Sequence, residues 1–303
     1  MEHKRIKTIS EFHQLNSLTA PEHPLISVVD YGAVKSPEDI GTTSLVFDFY
    51  QIAIKKGLNA KLKYGQQTYD FDEGEMSFIS PNQVFGIEPH SNSKEMQSGY
   101  LLLIHPDFLW NTPLAKAIKR CDFFSYSVSE ALFLSAKEEE LINGIIANIR
   151  QEYHSSIDDL SQQIIISQIE TLLGYAERFY RRQFITRKIT NHDILNKLEI
   201  LLTDYFNSND LISKGLLTVQ LLADELNVSP KYLSSLLKII TGQSTQQHIH
   251  DKLIDKAKEI LSTTNLSVGE IAYQLGFEHP QSFNKLFKKK TRMSPSEFRA
   301  GFN

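Results

Sequence analysis

The sequence predicts a multidomain α+β chain in three parts, and three observations carry that reading. Up to about residue 131, short aromatic or β-branched runs alternate with Gly, Pro and Asn, the pattern of strands joined by turns. From Ser135 onward the apolar residues fall at helical spacing instead. After Leu217 one short grammar occurs twice, as LTVQLLADELNVSPKYLSSLLKIITG and as LSVGEIAYQLGFEHPQSFNKLFKKKT. The expected domains are a β-rich 1–131, a helical connector 132–190, and an all-α 191–303 with two helix-turn-helix motifs joined by a linker helix.

In the first part the expected strands are LVFDFYQIAI (45–54), NAKLKYGQQTYDF (59–71), EMSFIS (75–80), VFGIE (84–88) and GYLLLIH (99–105). Gly65 and Gly74 read as turns. Many short strands of this kind point to a barrel or jelly roll. Strand alternation places Phe47 and Phe49 with Tyr69 and Phe71 on one inner surface.

The connector reads as two helices. Ser135 is the N-cap of the first and Glu138 completes a capping box. Leu141, Ile142, Ile145, Ile146 and Ile149 make its apolar stripe. The second, about 160–180, carries Ile164, Ile165, Gln168, Leu172 and Tyr175, and the basic run RFYRRQFITRK (178–188) reads as its end and a linker. One of these helices is a candidate to pair with its counterpart in a homodimer. A further helix, 191–205, has Ile194, Leu198, Leu201 and Leu202 in register, and the polar NSND run (207–210) ends it.

In the first copy of the repeated grammar, Leu222, Ala223, Leu226, Val228, Leu233 and Leu236 occupy the positions that two short, steeply crossed helices bury. Asn227 suits a left-handed turn, Ser229 an N-cap, and Pro230 the first helical position, where a missing N–H costs nothing. In the second copy Ile271, Ala272, Leu275 and Phe277 repeat the pattern around Gly276, and Phe283, Leu286 and Phe287 form the next buried stripe.

With Leu233, Leu236, Leu237 and Ile240 turned inward, Lys231, Ser234, Ser235 and Lys238 share an outer face. Gln281, Asn284, Lys285, Lys288 and Lys289 do so in the second copy. These side chains suit base edges in a major groove: Lys for guanine, Gln and Asn for adenine, Ser for either. Between the copies, 245–261 places Ile249, Leu253, Ile254, Ala257, Ile260 and Leu261 on one helical face. Such a helix, ~25 Å long, can set the two motifs near the ~34 Å repeat of B-DNA.

The 303-residue chain is 41% hydrophobic, enough for a sizeable core. Cys121 is the single cysteine, which rules out an internal disulfide and points to a reducing cytoplasm. No signal-peptide pattern or ~20-residue apolar span is legible. Net charge is -4, but 211–303 holds 12 Lys plus Arg against 8 Asp plus Glu, giving +4 and leaving -8 for the rest. The positive charge gathers at Lys285, Lys288, Lys289, Lys290 and Arg292, where phosphates are neutralised in a DNA complex.

The strings SPKYLSSLLK (229–238) and IAYQLGF (271–277), with the following SF, FKK and SPSEFR runs, resemble the DNA-binding domain of the AraC family of bacterial transcription regulators. The resemblance covers about the last hundred residues. It implies base or groove-edge contacts from Lys231, Ser234, Ser235, Gln281, Ser282, Asn284 and Lys285. It also implies a cupin-like sensor barrel in the first part, since sensor domains of this family are often of that kind. Leu253, His279 and Arg292 depart from the family pattern, which more often has Arg, an acidic N-cap and Gly there.

The expected function is a cytoplasmic transcription regulator, an activator by family analogy, that reads two successive major grooves of promoter DNA. RNA polymerase, a small-molecule effector of unspecified class and a second copy are the further expected partners, with no cofactor and no membrane. The alternatives are a metal-dependent cupin-type enzyme and an interaction scaffold that has lost DNA binding. For the enzyme, the first part offers His90 and His105, without an H-x-H pair, and both read as ordinary loop or strand-end histidines. His248 and His250 are two apart on the linker helix and point to different sides.

Overall fold

In the computed structural model the described residues are 4–35, 44–56, 63–64, 67–68, 74–86, 98–127, 130–155, 160–186, 188–208 and 215–301. The chain divides into two compact units, Met1–Gln183 and Phe184–Asn303. The first is rich in strands and the second is helical, as the sequence predicts. No described helix is long and apolar enough to cross a membrane.

The strands of the first unit, in chain order, are β1 (Lys4–Ile6), β2 (Ile26–Asp30), β3 (Ser44–Phe47), β4 (Tyr50–Lys56) and β5 (Lys63–Tyr64). They continue as β6 (Gln67–Thr68), β7 (Glu75–Ile79), β8 (Val84–Gly86), β9 (Ser98–Ile104) and β10 (Leu132–Phe133). Five of them form an antiparallel sheet in the order β10-β7-β4-β9-β2. A second sheet runs β1-β3-β8, with β1 parallel to β3, and β5 pairs with β6. The expected strand 45–54 is therefore two strands in two sheets. The break falls at Asp48, whose N–H donates to the Ile6 carbonyl at 3.1 Å and whose carboxylate accepts from Arg5 Nε at 2.8 Å. Tyr69, Phe71 and His90 lie outside the described residues.

The five-stranded sheet is buried on both faces, so Leu101 to Ile104 form a continuous apolar run instead of an alternating one. On one side Val29, Ala53, Leu101 and Leu103 pack against Leu45, Phe47 and Phe49, with Ile9 and Phe12 of α1 (Ile9–Leu15). The Phe47 and Phe49 rings are 5.5 Å apart, as one inner surface requires. On the other side Phe78 meets Phe123 at 4.5 Å and Tyr180 stacks on Phe123 at 5.6 Å. Gly99 lies opposite Lys55 with φ +130°, where a Cβ would stand 2.0 Å from the Ile54 carbonyl oxygen.

After α2 (Leu114–Ala117) come the two long helices, α3 (Ala136–Tyr153) and α4 (Ser161–Thr186). Ser135 and Glu138 form the expected capping box on α3, and Ile142, Ile145, Ile146 and Ile149 are buried. On α4 the buried stripe is Ile165, Ile166, Ile169, Leu172, Leu173, Ala176, Phe179 and Tyr180. Ile164, expected inside, is 44% exposed, because the stripe is centred on Ile169 and Leu172 and turns position 164 outward. The basic run continues α4 as far as Thr186. Its Arg182 is held by Glu138 and the Phe133 carbonyl, and Gln183 exchanges hydrogen bonds with Phe133 N–H and the Ala131 carbonyl.

The second unit contains α5 (Lys188–Asn207), α6 (Val219–Glu225), α7 (Pro230–Thr241), α8 (Thr245–Thr263), α9 (Val268–Gln274), α10 (Pro280–Thr291) and α11 (Pro295–Ala300). Its core joins Leu198, Leu202 and Phe206 of α5 to Leu222 and Ala223 of α6 and to Leu233 and Leu237 of α7. Ile249, Leu253, Ile254, Ala257, Ile260 and Leu261 of α8 bury the face expected of a linker helix.

Candidate nucleic-acid interface

Each motif is set by local chemistry. Thr218 caps α6 by accepting from Leu221 N–H at 3.2 Å. Asn227 then turns the chain in the left-handed region, φ +54°. Ser229 accepts from Tyr232 N–H at 3.2 Å, Pro230 opens α7, and Gly242 closes it at φ +76°. Such a cap contributes about 1 kcal/mol. In the second motif Ser267 and Glu270 make a capping box on α9. Gly276 has φ +85°, and a Cβ there would lie 2.7 Å from the Gly215 carbonyl oxygen, so both conformation and space call for glycine. His279 starts α10 without a side-chain cap and Arg292 ends it at φ +63°. Two of the three departures from the pattern, His279 and Arg292, thus fall at helix ends and leave the helix between them intact.

On α7, Lys231 and Lys238 are exposed, while Ser234 and Ser235 are half-buried. Ser234 Oγ lies 3.1 Å from Oγ1 of the fully buried Thr245, so it joins the motif to the start of α8. Ile240, expected to point inward, is 36% exposed, because it stands in the last turn of the helix, next to the end at Thr241 and Gly242, while Leu236 and Leu237 fill the inner face. Tyr232, not anticipated as core, is buried with its ring 5.1 Å from Phe184. On α10, Gln281, Ser282, Asn284, Lys285, Lys288 and Lys289 are all exposed. Phe283 and Phe287 are buried and Leu286 is partly so.

The 19 residues of α8 make a rod ~28 Å long at ~1.5 Å per residue, and both motifs pack on it. Ser244 and Gln247 form its capping box. Arg299 of α11 donates to the Leu261 carbonyl at 3.2 Å, fastening the far end. His248 Nε2 lies 2.9 Å from Thr241 Oγ1, and His250 Nε2 lies 2.9 Å from Gln246 Nε2, so each histidine has a neighbour within the helix region. Among the described residues no group of three or more His, Cys, Asp or Glu is placed to hold a metal ion.

A family description for a helix-turn-helix domain matches residues 222–301. Over 79 residues the chain is 39% identical to the arabinose operon regulatory protein of Escherichia coli strain K12, covering 26% of this chain and 27% of that protein. The chain carries an AraC-type helix-turn-helix domain. The chain also resembles part of an uncharacterized HTH-type transcriptional regulator, YfiF, of Bacillus subtilis strain 168, at 31% identity over 144 residues, 48% of this chain and 42% of that protein. Among solved structures it is similar to the C-terminal domain of the two-component response regulator yesN from Fusobacterium nucleatum. That match has 33% identity and a TM-score of 0.30, covering 36% of this chain and 97% of the other. The chain spans less than half the length of these two curated relatives.

The AraC-type domain should also sense acid through its linker helix. Burial, with Lys290 and Lys289 nearby, lowers the His250 pKa below its ordinary 6.5, against an opposing pull from Asp251. A histidine depressed in the folded state takes up its proton on unfolding, so stability falls as the pH drops below 6.5 toward the folded-state pKa. His250→Gln is expected to flatten that part of a stability-versus-pH curve measured by urea unfolding. An unchanged slope would contradict it.

Proposed function

We propose that the chain is a sequence-specific DNA-binding transcription regulator, an activator, that reads two successive major grooves with α7 and α10. The observation that carries this reading is the pairing of two helix-turn-helix motifs on one rod, each with a polar, lysine-bearing outer face. In this reading Lys231, Ser235, Lys238, Gln281, Ser282, Asn284, Lys285 and Lys288 contact base edges and phosphates. Ser234 contributes through its bond to Thr245 as well as through the groove. The names of the relatives, an operon regulator and a transcriptional regulator, support the same assignment.

The first unit is the sensor in this reading, cupin-like, with 1–131 as its β-rich part and 132–190 as connector and dimer-forming helices. A cavity of about 60 Å³ lies between its sheets, lined by Phe12, Tyr31, Gln51, Lys55, Ser77 and Leu101 among others. Gln51 Nε2 is buried there without a hydrogen-bond partner among the described residues, and this is where the reading seats an effector. Effector occupancy would bias promoter binding in the cytoplasm by a few kcal/mol, with RNA polymerase as the downstream partner.

The test is a gel-shift series on genomic fragments at rising salt. Affinity is expected to fall steeply, by roughly 10³–10⁵ between 50 and 200 mM salt for six to ten phosphate contacts. A flat, weak response would favour the scaffold. Stoichiometric metal binding with turnover would favour the enzyme.

A further inference from the structure

The sequence gathers a cluster of lysines at 285–290 for phosphate, yet Lys290 is held elsewhere. Lys290, in the last turn of α10, places Nζ 2.6 Å from Asp251 Oδ1 on α8. The other oxygen of that carboxylate, Oδ2, accepts from Gln243 Nε2 at 3.1 Å. Gln243 lies in the turn just beyond α7, and its own N–H donates to Thr241 Oγ1 at 3.2 Å. One carboxylate on the linker helix is thus bonded to the trailing end of the first motif and to the trailing end of the second.

We propose that Asp251 is a positioning residue that sets α7 and α10 relative to one another and withholds Lys290 from the DNA backbone. The proposal rests on the reading of these two helices as groove readers. The arrangement has a physical reason. Both partners are part-buried, Lys290 at 25% and Asp251 at 41% side-chain exposure, so the pair is less screened than one fully in solvent. A charge-assisted bond on one oxygen and an amide bond on the other also fix the carboxylate plane, and so the two ends it joins. Lys288 and Lys289, two residues and one residue earlier, remain exposed. Nothing local in KLFKKKT separates Lys290 from them, because its partner is 39 residues away.

The proposal is tested by two readouts on the full chain. In the first, Asp251→Asn and Asp251→Ala are compared with wild type in gel shifts over a salt range. Releasing Lys290 to the backbone should steepen the plot of log affinity against log salt by about 0.9. Lys290→Gln should leave the wild-type slope unchanged and cancel the increase in the Asp251 variants. In the second readout, which needs no DNA, nitroxide labels are attached at Ile240→Cys and Asn284→Cys in a Cys121→Ser background. The distance distribution by pulsed electron resonance should broaden about twofold in Asp251→Ala.

A wild-type slope that falls with Lys290→Gln, or a distance distribution unmoved by Asp251→Ala, overturns the proposal. A wild type that retards no fragment sinks the DNA reading instead, and the distance measurement then judges the positioning role alone. A role in stability only would lower the unfolding midpoint and move neither readout.

Discussion

Gly99→Ala is expected to unfold the sheet of the first unit. At φ +130° an L side chain is strained before any contact is counted, and its Cβ would stand 2.0 Å from the Ile54 carbonyl oxygen. That atom belongs to the backbone of β4, so relief requires moving one central strand away from another. Backbone strain of this kind costs about 1–3 kcal/mol and the clash adds to it, so we expect a loss of at least ~3 kcal/mol. Set against a typical ~5–15 kcal/mol for a whole domain, that is a large fraction. Amide exchange is the measure: β4 and β9 should lose protection while α8 and α10 keep theirs. Protection in β4 equal to wild type would contradict the account.

Phe283→Ala is expected to cost ~3–5 kcal/mol in the second unit. Phe283 is fully buried, with its ring 5.5 Å from Phe277 and 5.7 Å from Phe287. Phe277 follows the turn at Gly276 and Phe287 lies one turn along α10, so the ring holds the outer helix against the turn that presents it. Removing it leaves a cavity in the cluster that also buries Ile271 and Leu275. Urea unfolding of the variant should show the loss, and retardation of DNA should weaken with it. Lys289→Ala, an exposed site on the same helix, should change stability by no more than ~0.5 kcal/mol. Equal effects from the two substitutions would show that the stripe is not core.

What the sequence makes legible is what acts over a few residues. Ser135 with Glu138, Ser229 with Pro230, Asn227 and Gly276 each act through their own backbone neighbours, and each does what local chemistry predicts. The face of α8 is equally readable, because 3.6-residue periodicity over a long helix leaves only one apolar side. β1 is different. Three residues, KRI, are too few to show alternation, and their parallel partner β3 is some 40 positions away in register.

The break at Asp48 is not legible in the sequence for a related reason. The run from Leu45 to Ile54 stays apolar throughout, and only the Arg5 and Ile6 contacts show where it changes sheets. Spacing alone turns Ile164 and Ile240 inward. Spacing fixes the width of a stripe better than its edges, and both residues sit at an edge. The faces of α7 and α10 could be named residue by residue, but the two that bond within the protein could not. Ser234 meets Thr245, and Lys290 meets Asp251, across distances in sequence that no local pattern records.

The central claim is that two helices on one rod address two neighbouring grooves. Methylation interference on a genomic fragment retained by the purified chain tests it most directly, because guanine N7 lies in the major groove. The account predicts two groups of interfering guanines on one side of the duplex, about 10 base pairs apart centre to centre. A single group, or two groups on opposite sides of the duplex, would contradict it.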